Sequence, residues 1–316
     1  MVKWSVEYWL FRSLLLLIVV AAFVSCEKDI ELELKKSGDK IVLYSFVYPD
    51  SVFRLHFSKS VDVLSEDNYR LVENGTFKMY INGYYKGKYD FPEDEVSGEW
   101  RNFTFMPGDT VELMAIDVTP DTATVTTVIP KSIALERLDS VSSKYQGTDG
   151  ILYEVLKCNL TFTDPRYQDN YYQLVIIQER WEVIDGEEHY YREVVDYIKD
   201  DPVFYSRNQE GTLMEGLDFY GMFDDELVYG TYDLQCLVPS SYYKLYWFDT
   251  KIKLTFYLYH HTEDYYRYFR TKLISDYYNG LPIFEPVNIH SNIENGIGLV
   301  SGVSFSVDSL VFVPNE

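Results

Sequence analysis

The chain is predicted to be all-β: a first sandwich of short strands, then a larger antiparallel β-sandwich or partly closed barrel carrying one helix. Three observations lead there. From Lys40 onward, apolar runs and alternating runs are separated by turn signals such as Asn82-Gly83, Pro107-Gly108-Asp109 and Asp185-Gly186. Clear helical spacing occurs once, after His261. Thirty of the 316 residues are Tyr, which suits strands and half-polar sheet faces.

The chain opens on an export signal. Lys3 and Arg12 give a positive start, and an apolar run from Leu14 to Val24 follows, short for a membrane span. It ends in Phe23-Val24-Ser25-Cys26, which resembles a bacterial lipobox with Phe23 where Leu is usual. On this reading residues 1–25 are a lipoprotein signal peptide. The Cys26 thiol then takes diacylglycerol and its amine an acyl chain such as palmitate, a stable anchor in the outer membrane. An ordinary signal peptide, an uncleaved signal anchor and a buried core segment are the alternatives. Residues 26–38 begin Cys26-Glu27-Lys28-Asp29-Ile30-Glu31 and read as an acidic tether. Acids directly after the lipid-bearing Cys resemble the surface-export signal of Bacteroidetes lipoproteins, which implies a protein facing the cell exterior.

After signal removal the net charge is about −23, which excludes non-specific binding to a nucleic-acid backbone. About 290 remaining residues suffice for two domains with real cores. The first is expected over 39–130. Ile41–Val47 reads as a buried strand, and Phe53, Leu55 and Phe57 share one face of the next. Phe77–Ile81 enters the Asn82-Gly83 hairpin. Strands are expected over Trp100–Phe105, Thr110–Ile116 and Thr122–Ile129. The Pro107–Leu113 segment, with a last strand ending Val128-Ile129-Pro130, resembles immunoglobulin-like or transthyretin-like modules of bacterial surface proteins.

The second domain is expected over 131–316. Its strands are longer: Leu152–Thr163, Tyr171–Ile184, a return through Tyr190–Ile198 after Asp185-Gly186, Gly230–Val238, and Lys251–Leu258 with Ile252, Leu254, Phe256 and Leu258 inward. Thr262 caps a helix near 263–277 with acids in its first turn, stopped at Asn279-Gly280. Ser301–Phe312 closes the chain as a strand.

Tyr265–Arg270, followed by Pro282-Ile283-Phe284-Glu285-Pro286-Val287-Asn288-Ile289-His290-Ser291-Asn292-Ile293-Glu294-Asn295-Gly296-Ile297-Gly298, resembles the C-terminal signature of the Bacteroidetes domain-of-unknown-function 4249 family. Asp164-Pro165, Asn170-Tyr171-Tyr172 and Phe223-Asp224-Asp225 with Gly230 match it too. The family consists of lipoproteins often encoded near TonB-dependent outer-membrane transporters. The resemblance therefore implies a non-enzymatic accessory that captures or gates a nutrient for such a transporter. An adhesin or surface-assembly protein binding protein or glycan is the other reading. The residues alone make the 282–298 segment a loop locking the helix onto the sheet, or a ligand contact.

No catalytic constellation is legible, and no cofactor or metal site is expected. His56, His189, His260, His261 and His290 form no His-Glu-x-x-His motif. His260 and His261 point to opposite faces unless the strand has ended. Asp224-Asp225-Glu226 and Glu93-Asp94-Glu95 lack calcium-loop spacing and read as solvated turns. Cys158 and Cys236 lie on apolar faces, as buried thiols or as one disulfide. Ser51, Thr110, Thr122, Ser140 and Ser309 sit in Asp-Ser/Thr-apolar triplets that resemble the O-glycosylation sequon of exported Bacteroidetes proteins, a pattern that also arises by chance.

Overall fold

A computed structural model describes residues 39–49, 52–62, 65–117, 122–166, 168–205, 218–245, 250–278 and 287–313. Strands β1 (Ile41–Val47), β2 (Phe53–Lys59), β3 (Thr76–Ile81), β4 (Tyr84–Asp90), β5 (Ser97–Trp100), β6 (Thr110–Ile116) and β7 (Thr122–Val128) build the first sandwich. One sheet runs β4-β3-β6-β7 and the facing one contains β1-β2-β5. The alternation of β2 puts Phe53, Leu55 and Phe57 in the core, where they meet Phe77, Met79, Val111 and Leu113 of the opposite sheet. Asn82 and Gly83 both take positive φ (53° and 77°), the geometry of a tight two-residue hairpin. The strand expected over Trp100–Phe105 instead ends at Trp100, because only Ser97–Trp100 find partners on β2. Phe103 and Phe105 still pack on Phe53, with ring centroids 5.6 and 6.1 Å away. Their alternation encodes core contacts, not a ladder.

The second sandwich comprises β8 (Leu135–Gln146), β9 (Leu152–Thr163), β10 (Tyr171–Ile184), β11 (Glu187–Val194), β12 (Met222–Asp224), β13 (Thr231–Pro239), β14 (Thr250–His261) and β15 (Gly296–Phe312), with helix α1 (Glu263–Tyr278). A β13-β9-β8 sheet covers part of the large sheet β11-β10-β14-β15-β1-β2-β5, with β12 paired to β10. Ile252, Leu254, Phe256 and Leu258 of β14 all face the core between them. β8 was not expected from sequence. It pairs only with β9 and is mostly exposed, so no strong alternation marks it. β14 runs on to His261, so His260 and His261 do lie on opposite faces. β11 closes at Val194, and Ile198 joins instead by an isolated bridge to Leu237.

β15 is longer than the Ser301–Phe312 strand expected, and it joins the two halves. Gly296–Gly302 pair in parallel with β1, and Val303–Phe312 pair antiparallel with β14. The Pro130 boundary therefore does not isolate the first core, which takes Ile293 and Val300 from the far end of the chain. Asp39–Glu316 form one compact unit. The close approach explains the glycines: a Cβ on Gly298 (φ +118°) would lie 2.0 Å from the Leu43 carbonyl oxygen, and one on Gly302 would lie 2.3 Å from that of Val128. Among the described residues no helix is long and apolar enough to cross a membrane.

Candidate functional site

Thr262 Oγ1 accepts a hydrogen bond from the Tyr265 amide (3.3 Å) and starts α1 where β14 ends. Helical spacing then aligns Glu263, Tyr266, Arg267, Arg270, Thr271 and Ile274 along one stripe. That stripe forms one wall of a cavity of about 780 Å³. The second wall holds Asp169 just before β10 and Tyr171 at its start, with Asp224 at the end of β12 and Asp225 and Glu226 in the turn that follows. The third is Asn288-Ile289-His290.

Each wall is fixed by a polar network. Asn170 donates its amide to Asp225 Oδ2 (2.8 Å) and its side-chain NH2 to Asp164 Oδ1 (3.1 Å) and Asp225 Oδ2 (3.2 Å). Tyr172 Oη donates to Asp164 Oδ1 at 2.5 Å. His260, on the same side, donates its Nδ1–H to the Lys131 carbonyl at 2.8 Å. Its neighbour His261 faces the helix, where its ring stacks on Tyr265 at 4.1 Å. The third wall is tied to α1 through Asp264, whose Oδ1 lies 2.8 Å from His290 Nε2, and through the His290 amide, which donates to Thr271 Oγ1. Asn292 continues this lock. Its side chain bonds both the carbonyl and the amide of Val300 on β15, as a peptide partner would.

The floor is aromatic. Tyr171 and Tyr266 lie 4.7 Å apart, Tyr266 Oη donates to Asp224 Oδ2 (3.0 Å), and the Arg270 guanidinium sits over the rings of Phe219 and Tyr266. Burial, aided by the carboxylates of Glu263 and Asp169, pushes the Tyr171 hydroxyl up to about 12. Burial, then Asp224, does the same to Tyr266. Burial also raises Asp164 and Asp225 above the usual carboxylate range, against the hydrogen bonds they receive. Thr271 contributes the aliphatic hydroxyl of the lining, and it is committed to the Arg267 carbonyl (2.8 Å) and the His290 amide (2.9 Å). The arrangement suits binding by opposite charges and aromatic faces.

Four of the segments on which the family resemblance rests supply residues to this cavity: Asn170-Tyr171-Tyr172, Phe223-Asp224-Asp225, Tyr265–Arg270 and Val287–His290. The model of the family described as domain of unknown function (DUF4249) matches residues 27–308. The chain belongs to the DUF4249 family. No curated protein matches it. Among solved structures, a two fibronectin type-III domain segment from chicken tenascin matches with 10% identity over 70% of this chain and 90% of that chain, at a TM-score of 0.21. So distant a likeness carries no argument about the site.

The other candidate residues of this DUF4249 chain lie elsewhere. Cys26 and Ser51 fall outside the described residues, as do the helix stop at Asn279-Gly280 and Pro282–Pro286. Cys158 and Cys236 stand directly opposite each other on β9 and β13, as buried free thiols. The neighbouring Cys158, then burial, pushes the Cys236 thiol up. Thr110 and Thr122 begin β6 and β7 half-buried, Ser140 is exposed on β8, and Ser309 is half-buried on β15. These four hydroxyls are spread over both sandwiches. Among the described residues no group of three His, Cys, Asp or Glu is arranged for a metal ion. Sequence reasoning treated Asp224-Asp225-Glu226 as a solvated turn and passed over Asp169, Arg267 and Arg270. The charged stripe at 263, 267 and 270 on the helix and the Tyr265–Arg270 signature were the signals for the two arginines; Asp169 had none.

Proposed function

We propose that this protein is a surface-exposed outer-membrane lipoprotein, anchored through Cys26, and a non-enzymatic accessory to a TonB-dependent transporter that captures or gates a nutrient. What supports the capture role is the cavity beside α1: an open, two-signed recess of about 780 Å³ whose walls are held by buried hydrogen bonds. The lipobox-like Phe23–Cys26 and acidic tether support the location. The test is purification of the C-terminally tagged chain from native membranes in mild detergent. A TonB-type transporter is expected to accompany it, and repeated absence overturns the accessory role. Cys26→Ala is expected to release or mislocalise a folded protein; a mutant that stays on the membrane overturns the anchor.

The second reading, an adhesin or surface-assembly protein that binds protein or glycan, is favoured by the outer face of the large sheet. There Phe305 (40% exposed) meets the rings of Tyr48, Tyr257 and Tyr259, and Val307 (51%) stands opposite Tyr257, a partly exposed aromatic patch. Recovery of a surface glycan or matrix protein in place of the transporter would select this reading.

A further inference from the structure

We infer that the cavity beside α1 takes a short zwitterionic peptide, its amine on the carboxylate wall and its carboxylate on the arginine stripe of the helix. This rests on the reading of the cavity as a capture site and adds the class of ligand. Its cations come from one wall only. Arg267 and Arg270 project from the helix, which also carries Glu263 at its first turn, whereas the β10 and β12 side supplies carboxylates alone, Asp169 and Asp225 among them. A ligand with a single charge would leave one of these walls unmatched; a molecule with both ends charged matches both.

The amine end has a defined place. The Tyr171 hydroxyl lies within the field of Glu263, Asp169 and Asp225, with Arg267 as the opposing cation. Those carboxylates come from three separate elements. A primary ammonium has three hydrogens to share among spread acceptors. The other end is equally prepared. Rings hold the Arg270 guanidinium in place, at 5.6 Å (Phe219) and 5.5 Å (Tyr266), on the same stripe as Arg267. The Arg267–Glu263 pair (2.5 Å) is solvent-exposed and can exchange for a ligand carboxylate at small cost. At about 780 Å³ the recess is of the size that holds drug-sized ligands, larger than one amino acid requires, and Ile274 and Ile289 offer apolar contact for side chains.

The test is calorimetric titration of the full-length protein in detergent with trialanine, N-acetyl-trialanine and trialanine amide. Trialanine is expected to bind, and each blocked peptide to bind about tenfold more weakly. Arg267→Gln and Asp169→Asn alter exposed side chains and are expected to leave the fold intact, which the unfolding midpoint checks. Arg267→Gln is expected to weaken trialanine about threefold or more while leaving trialanine amide unchanged. Asp169→Asn is expected to weaken trialanine but not its N-acetyl form. Equal affinity for free and blocked peptides, or no binding of any peptide at about 10 mM, overturns the inference. Transporter co-purification reads the accessory role separately, so the two can fail independently.

Discussion

The two sandwiches share a strand yet fill their interiors differently. The first core is a mesh of rings: Phe53 alone touches Phe77, Trp100, Phe103 and Phe105 at 5.6–6.1 Å. The second buries Asp164, Asn170, Gln178, Asp201, Asp224, His260 and His261 among its apolar residues. Asp201 is typical of them. It accepts from Tyr232 Oη (2.6 Å) and from the amides of Gln235 (3.0 Å) and Val203 (3.2 Å). Ring packing is adaptable, whereas directional hydrogen bonds such as those of Asp164, Asn170 and Asp201 restrict the arrangement. The cavity is built on the second kind of interior, with the first as its support through β15.

The hardest way to break this contrast is at the shared strand. In Gly298→Val, a side chain would have to occupy a site 2.0 Å from the Leu43 carbonyl at a φ of +118°. The expected loss is about 4 kcal/mol or more, in urea unfolding followed by hydrogen exchange. Protection should fall together in β3 of the first sandwich and β14 of the second, because β15 serves both. If β14 keeps its protection while β3 loses it, the two sandwiches are independent and β15 is merely a linker.

Acid should separate them. Burial lowers His260 below its ordinary value and, with His260 as neighbour, lowers His261 to about 3. The unfolded chain therefore binds these protons first. Stability is full above pH 6.5, the ordinary value, and is lost as pH falls from there toward about 3. His261 alone should cost roughly 2 kcal/mol by about pH 5. Asp164 and Asp225 act in the opposite sense. Their folded values are raised, so they return stability as pH falls through those values toward 3.8. The first sandwich has one comparable imidazole, the half-buried His56, lowered by burial. On acidification from pH 7, amide protection is expected to fall in β14 and α1 before β3 and β6. His261→Phe, which keeps the stack on Tyr259 and Tyr265, should flatten the profile. An unchanged slope in that variant would remove His261 as its cause.

The same contrast explains what could be read in sequence. Local rules sufficed for β14, with its four alternating apolar residues, and for Asn82-Gly83 and Asp185-Gly186, whose positive φ values are set within the turn. β8 escaped because it is an exposed edge with little apolar period. β15 was half legible: Gly296 and Gly298 suggested a loop, while in the fold they let two backbones approach in a parallel pairing some 250 residues apart, a relation no local pattern carries. The cavity was legible only in pieces. Its acids, arginines and His290 come from segments between residues 169 and 290, and their meeting depends on the sheet order.

The smallest effect compares one turn in each sandwich. Gly83 and Gly186 have nearly the same conformation (φ 77° and 83°), and a Cβ on either meets nothing within 4 Å. Alanine at either position therefore carries the same backbone penalty, about 1 kcal/mol. The surroundings differ. Gly83 joins β3 and β4 beside Ile81, a member of the first core, so the penalty should appear in full in urea unfolding. Gly186 closes the tip of the β10–β11 hairpin, where Ile184 and Val183 are each 44% exposed and the end can open without disturbing the second core. Gly186→Ala should then cost clearly less in global unfolding than Gly83→Ala, while hydrogen exchange at Glu182–Glu188 accelerates. Equal global costs would mean that the hairpin tip belongs to the cooperative unit of the second sandwich as firmly as β3–β4 does to the first.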